Sequence, residues 1–205
     1  MSDIETIMRT APVIPVLVID DLAHALPLAQ ALVAGGLRVL EVTLRTRHGL
    51  DAIRAMKAVP GAIVGAGTVL DVPQLEASLT AGAEFIVSPG LTDPLARFAR
   101  ANNVPFLPGV SDASDIMRGL DHGLDRFKFF PAEASGGLPA LRALSGPFGQ
   151  VRFCPTGGIT AATAATWLAE PAVLCVGGSW VVPKGPLDVG RVETLAREAA
   201  GLRGA

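Results

Sequence analysis

The sequence predicts a single domain over residues 1–205, an α/β chain folded as one (β/α)8 TIM barrel with parallel strands. Three observations lead there. Eight short, β-branched apolar runs recur at regular intervals, and most of them stop at Gly or Pro. Between them lie stretches rich in Ala, Leu, Glu and Arg, with apolar residues at helical spacing. A length of 205 residues suits one closed set of such units. A doubly wound open sheet is the alternative. Eight regular units favour closure, and no GxGxxG follows the first strand.

The strand signals, in order, begin with VIPVLVI (13–19), RVLEVTL (38–44), AIVGAGTV (62–69) and FIVSPG (85–90). They continue with PFLPGV (105–110), RFKFFP (126–131), VRFCPTGG (151–158) and VLCVGGSW (173–180). The helix signals include LAHALPLAQALVAGG (22–36), GLDAIRAMKAV (49–59), VPQLEASLTAGA (72–83), DPLARFARANN (93–103) and DASDIMRGLDHG (112–123). Asp93, Asp112 and Thr160 stand where an N-cap acceptor belongs, and Gly35, Gly82 and Asn102 where a helix closes.

Composition narrows the function. Half the residues are hydrophobic, 18% are charged and the formal net charge is −2. With no run of Lys or Arg, the surface lacks the dense cationic character that nucleic acid or acidic lipid requires. The N-terminus carries acids where a signal peptide needs positive charge, and the run from Val13 to Ile19 is far too short to span a membrane. A soluble, cytoplasmic protein is expected. Cys154 and Cys175 read as buried small hydrophobes, and His24, His48 and His122 as helix or surface histidines without metal-ligand spacing.

Strands of a parallel sheet are buried on both faces, so polar residues inside them are the informative positions. In RVLEVTLRT, alternation puts Val39, Glu41, Thr43 and Arg45 on one side and Leu40, Val42 and Leu44 on the other. The Leu/Val side suits helix packing, so Glu41 points inward, with Arg45 above it. A buried carboxylate needs a partner; a Glu41–Arg45 or Glu41–lysine pair that only holds the interior together would supply one. In RFKFFP the same parity turns Phe127 and Phe129 toward helices and Lys128 inward. An interior lysine is either half of an ion pair or a nucleophile, because burial disfavours the ammonium relative to the reactive amine. In AIVGAGTV, Val64, Ala66 and Thr68 share a face; Thr68 offers a hydroxyl or caps the next helix. CPTGGIT opens a helix (161–170), and VGGSW reads as opening another. Glycine turns running into helix N-termini in the last two units would form a recurrent phosphate site, or else serve only as tight turns.

These motifs together resemble the 2-keto-3-deoxy-6-phosphogluconate aldolase / 4-hydroxy-2-oxoglutarate aldolase family. The likeness runs through LEVTLRT (40–46), VGAGTVL (64–70), SPGLT (88–92), PGVS (108–111), FKFFPAE (127–133), FCPTGGI (153–159) and VGGSW (176–180). It implies a class I lyase of Entner–Doudoroff-type sugar acid catabolism, acting without cofactor or metal as a homotrimer on a small keto-sugar-acid phosphate. By resemblance, Lys128 is the Schiff-base lysine and Glu41 the general acid/base. Arg45, Thr68, Pro89 and Phe130 contact the pyruvate moiety, Thr156 helps select the C4 configuration, and Gly157, Gly158 and Ser179 bind the phosphate. The chemistry agrees: an iminium at C2 is the electron sink for C3–C4 cleavage, and one carboxyl can move the protons. Two other readings use the same glycine loops. A phosphate-binding isomerase or synthase leaves Lys128 without a role, and a catalytically silent sugar-phosphate sensor has no need of both Glu41 and Lys128.

Overall fold

The computed structural model describes residues 3–202. The expected α/β class and parallel strand sense are both found. A short helix α1 (Ile4–Arg9) precedes β1 (Val13–Leu17), and a 3-10 turn (Leu22–His24) leads into α2 (Ala25–Ala34). Then come β2 (Val39–Thr43), α3 (Gly49–Met56), β3 (Ile63–Gly67), α4 (Val72–Thr80), β4 (Ile86–Val87) and α5 (Asp93–Ala101). The fifth strand signal is split into β5 (Phe106–Leu107) and β6 (Gly109–Val110), followed by α6 (Ala113–Asp121) and β7 (Arg126–Phe129). The chain continues with α7 (Gly137–Ser145), β8 (Arg152–Phe153), α8 (Ala161–Leu168), β9 (Val176–Gly178) and α9 (Val189–Ala200).

The strands form a curled six-stranded sheet, in the order β5-β4-β3-β2-β1-β9, and a three-stranded sheet, β6-β7-β8. Every pairing is parallel. The predicted single sheet of eight strands is thus drawn as two, and the break lies at Pro108. Proline has no N–H to donate to a ladder, though its carbonyl still accepts from Lys128 N at 2.9 Å. At the other edge, isolated parallel bridges join Phe153 to Val173 and Thr156 to Gly177.

Alternation sorts the apolar side chains into two cores. Leu17, Leu40, Val42, Val64, Ala66, Phe127 and Phe129 face the helices and pack with residues such as Leu32, Ile53 and Leu95. Ile14, Val39, Phe85, Val87, Leu107, Cys154 and Cys175 form a separate inner cluster, and Ile7 and Met8 of α1 pack into it. Both cysteines are free and buried. Helix α1, which the apolar pattern did not single out, therefore covers part of the interior. Asp3 caps it, accepting from Thr6 N at 2.7 Å, and Glu5 ties it to β7 by accepting from Arg126 Nη2 at 2.6 Å and Nε at 3.0 Å.

Most of the expected helix caps are found, and one N-cap is displaced. Asp112 and Thr160 are N-caps. Asp93 is not: Thr92 occupies that position, and Asp93 is the first residue of α5. Gly35 and Asn102 are the C-caps of α2 and α5, each followed by a left-handed residue, Gly36 and Asn103. Among the described residues no helix is long and apolar enough to cross a membrane.

The Arg126 guanidinium, and secondarily that of Arg9, holds the Glu5 carboxyl below the usual glutamate range. A depressed carboxyl contributes stability above its unfolded pKa and loses it as the pH falls through the folded value. Glu5→Gln should therefore be less stable than wild type at neutral pH, and the gap should close in strong acid. Urea midpoints at the two pH values test this; a gap that does not change with pH would contradict it.

Candidate active site

The strand alternation of β2 turns Glu41 inward, one step nearer the C-terminal end than Val39, which lies in the inner apolar cluster. The equivalent alternation of β7 turns Lys128 inward between Phe127 and Phe129, which pack outward. The two polar side chains meet. Lys128 Nζ donates to Glu41 Oε1 at 2.9 Å and Oε2 at 3.2 Å, and the residues are 4% and 2% exposed. Of the two partners the sequence left open for Glu41, the structure selects the lysine. Arg45 lies exposed at the end of β2, without an ion pair or hydrogen bond among the described residues. The Phe130 ring centroid lies 5.4 Å from Nζ, within reach of a cation–π contact.

A steric requirement supports this meeting. A Cβ placed on Gly67 would lie 2.4 Å from Glu41 Oε1 and 2.6 Å from its Cγ, and one on Gly65 would lie 2.5 Å from the Phe85 ring. The inner face of β3 is therefore bare so that Phe85 and Glu41 can cross it. The group that Gly67 admits is the glutamate itself. Gly109 is paired with Lys128 in register, and a Cβ there would lie 2.0 Å from the carbonyl oxygen of Pro89. That contact sets the SPG turn against the lysine strand, where Ser88 Oγ donates to Gly90 O at 2.6 Å. Thr68 stands just past the end of β3. Val64 and Ala66 face the helices, so unbroken alternation would have turned Thr68 outward with them. Its φ of 60° ends the strand there, and the parity argument no longer applies. A β-branched residue in the left-handed region is strained.

Every other residue singled out in sequence follows the C-terminal end of a parallel strand, so the topology gathers them on one rim. Arg45 follows β2, Thr68 β3, Pro89 β4, Phe130 β7, Thr156 to Gly158 β8 and Ser179 β9. Thr156 is buried and bridges to Gly177; a Cβ on Gly177 would lie 2.2 Å from Thr156 Oγ1. Gly157 and Gly158 adopt φ of 103° and 83°, which other residues rarely adopt. The chain after Lys128 lies across them, with Ala132 N donating to Thr156 O at 2.8 Å and Glu133 N to Gly157 O at 3.1 Å. As expected, this turn runs into a helix, α8, with Thr160 and Thr163 forming a capping box. VGGSW does not. Ser179 lies exposed in a turn closed by Val182 N to Ser179 O at 3.1 Å, and Pro183 and Pro186 postpone α9 to Val189.

The three histidines stand at helix ends, His122 within 3.2 Å of Asp93 and His24 within 3.9 Å of Asp21. His48 precedes α3. Among the described residues no three His, Cys, Asp or Glu side chains are grouped to hold a metal.

A parallel α/β scaffold with a buried amine–carboxyl pair beneath a rim of loops is the architecture of an enzyme whose chemistry sits at the strand ends. The chain belongs to the KDPG and KHG aldolase family, whose sequence profile matches residues 4–197. It is 58% identical to the KHG/KDPG aldolase of Escherichia coli K12 over 199 residues, 95% of this chain and 93% of that protein. Its structure is similar to the crystal structure of the 2-keto-3-deoxy-6-phosphogluconate aldolase of Zymomonas mobilis ZM4 with 3-phosphoglycerate. The TM-score is 0.97 at 60% identity, covering 98% of this chain and 96% of that one. It also resembles the KDPG aldolase of Legionella pneumophila with pyruvate captured at low pH as a covalent carbinolamine intermediate. Here the TM-score is 0.95 at 43% identity, covering 98% and 99% of the two chains.

The glycine requirement can be measured. Gly67→Ala should cost about 1–3 kcal/mol by overpacking against Glu41. In a Glu41→Ala background the added methyl should cost much less, so a double-mutant cycle on denaturant stabilities should show strong coupling. Additive effects would mean that the methyl is accommodated elsewhere.

Proposed function

We propose that this chain is a class I, imine-forming aldolase that cleaves 2-keto-3-deoxy-6-phosphogluconate to pyruvate and glyceraldehyde 3-phosphate, and that it also acts on 4-hydroxy-2-oxoglutarate. The observation that carries the proposal is the contact of Lys128 Nζ with Glu41 in the interior of a member of this aldolase family. Lys128 gives its proton to Glu41 and attacks the C2 carbonyl, forming a carbinolamine. Glu41 returns a proton to the departing hydroxyl, and loss of water leaves the iminium. Glu41 then takes the proton of the C4 hydroxyl, and the C3–C4 bond breaks with its electrons passing into the iminium. The aldehyde leaves, the enamine is protonated at C3, and water releases pyruvate and the free lysine. The pyruvate carbinolamine of the Legionella relative and the 3-phosphoglycerate of the Zymomonas relative fit the two ends of this cycle.

In this reading Arg45 and Thr68 bind the substrate carboxylate, while Pro89 and Phe130 bound the pyruvate moiety beside Lys128. Thr156 lies toward C4, and Gly157, Gly158 and Ser179 receive the phosphate through backbone amides and a hydroxyl. Anchors at both ends hold the scissile bond between lysine and glutamate. We further propose that residues 1–205 form one domain and that the two sheets complete a (β/α)8 barrel. The continuous run Phe106–Val110 shared by both sheets and the bridges Phe153–Val173 and Thr156–Gly177 support closure. Neither cofactor nor metal is required in this mechanism. A cytoplasmic homotrimer completes the reading, with the exposed Val18, Leu22 and Leu26 offering apolar surface for contact between copies.

Incubation with pyruvate and borohydride should add one reduced pyruvyl unit at Lys128, located by peptide mass mapping, and Lys128→Ala should abolish both labelling and cleavage. Labelling at Lys57 or Lys184 would overturn the assignment. Glu41→Gln should stay folded and lose roughly 10²- to 10⁴-fold in kcat; a fully active variant would reduce Glu41 to an ion-pair partner.

The phosphate end has its own test. A methyl group on Gly158 meets both the positive φ and the Glu133 side chain, 2.6 Å away. Gly158→Ala should lower kcat/KM for the phosphorylated substrate roughly 10- to 100-fold more than for 4-hydroxy-2-oxoglutarate. Equal losses would place the phosphate elsewhere.

A further inference from the structure

Glu133 ends the motif FKFFPAE, only a few residues beyond the imine lysine, yet the mechanism gives it no task. Besides a local turn to Gly136, its contacts reach the Gly157–Gly158 turn and the helix that follows. Its backbone N–H donates to Gly157 O at 3.1 Å. Its Cβ and Cγ lie so close to Gly158 that a Cβ there would sit 2.7 and 2.6 Å from them. Its carboxylate accepts from Trp167 Nε1 at 3.1 Å. Trp167 belongs to α8, is 1% exposed, and packs against Phe129 with ring centroids 6.4 Å apart. Glu133 thus touches the turn itself and the helix leading away from it. Through Trp167 it is also connected to a neighbour of Lys128. A surface carboxylate reaching a buried indole thus adds a side-chain link between the turn, α8 and the end of β7.

We infer that Glu133 is a positioning residue: through its hydrogen bond to Trp167 and its contact with Gly158 it holds the turn in the shape that presents its amides to the phosphate, at a set distance from Lys128. The inference rests on the assignment of that turn to the phosphate. A carboxylate so close to an anion site is electrostatically costly unless it is held aside, and the indole N–H is what holds it. The side chain therefore acts by geometry, and its charge is dispensable.

The test compares steady-state kinetics of Glu133→Ala, Glu133→Gln, Trp167→Phe and Gly158→Ala on 2-keto-3-deoxy-6-phosphogluconate and on unphosphorylated 4-hydroxy-2-oxoglutarate. Glu133→Ala should raise KM for the phosphorylated substrate roughly tenfold, the scale of one lost hydrogen bond, with kcat little changed. It should leave the unphosphorylated substrate and borohydride trapping of pyruvate unaffected. Glu133→Gln keeps an acceptor and should restore wild-type behaviour. Trp167→Phe should reproduce Glu133→Ala, and the double variant should be no worse than either single one. If Glu133→Gln is as impaired as Glu133→Ala, or if Glu133→Ala harms both substrates alike while Gly158→Ala discriminates between them, the inference fails and the phosphate assignment stands. If Gly158→Ala does not discriminate either, the phosphate assignment fails and takes the inference with it.

Discussion

Lys128 and Glu41 place opposite charges 2.9 Å apart in an interior that is otherwise lined by Ile14, Val39, Phe85, Val87 and Leu107. Taking two such groups out of water costs several kcal/mol each, and their attraction offsets this only when the geometry is good. A well-packed apolar pair would serve stability at least as well. The pair is therefore better explained by what an amine beside a carboxyl can do to a carbonyl than by what it adds to the fold. Much of the surrounding structure is arranged around it: the bare inner face of β3 at Gly67, the close fit of Gly109 against Pro89, and the outward phenylalanines on either side of Lys128.

The parallel sense of the strands does the rest of the positioning. It puts the C-terminal ends of paired strands on the same side, so residues from six separate motifs follow strand ends there without any long excursion of the chain. The opposite end carries packing. There α1 buries Ile7 and Met8 in the inner cluster and is pinned to β7 through Glu5 and Arg126. Where the β1–β2 ladder frays near the rim, threonine hydroxyls replace it. Thr43 Oγ1 donates to Leu17 O at 2.8 Å and Thr46 Oγ1 to Ile19 O at 2.6 Å, which fixes the chain on both sides of Arg45. Among the described residues, that restraint leaves the guanidinium itself unengaged.

Much of this was legible in the sequence, because parity inside a strand is a hard constraint. Glu41 and Lys128 had to turn inward once Leu40, Val42, Phe127 and Phe129 were assigned to the helices. What parity cannot supply is the identity of a cross-sheet partner, since Glu41 and Lys128 lie on strands far apart in sequence. Nor can it follow a strand past a φ reversal, which is why Thr68 resisted it. The fifth strand signal was visible, but its splitting at Pro108 depends on which neighbour needed the missing N–H. VGGSW resembled a helix entry because glycines often precede one, and the two prolines that delay α9 were given too little weight. The role of Gly67 was hidden for a related reason. A glycine in a strand announces a close approach without saying what approaches.

Whether Lys128 leaves Glu41 to bond covalently with a 2-keto acid can be seen in a crystal structure of the protein soaked with pyruvate at low pH. The expected result is continuous density from Lys128 Nζ to C2 of pyruvate, with the pyruvate carboxylate turned toward Arg45 and Thr68 and the Glu41 carboxyl within hydrogen-bonding distance of the C2 oxygen. Pyruvate bound at another lysine, or held without a covalent bond while Nζ remains paired with Glu41, would contradict it.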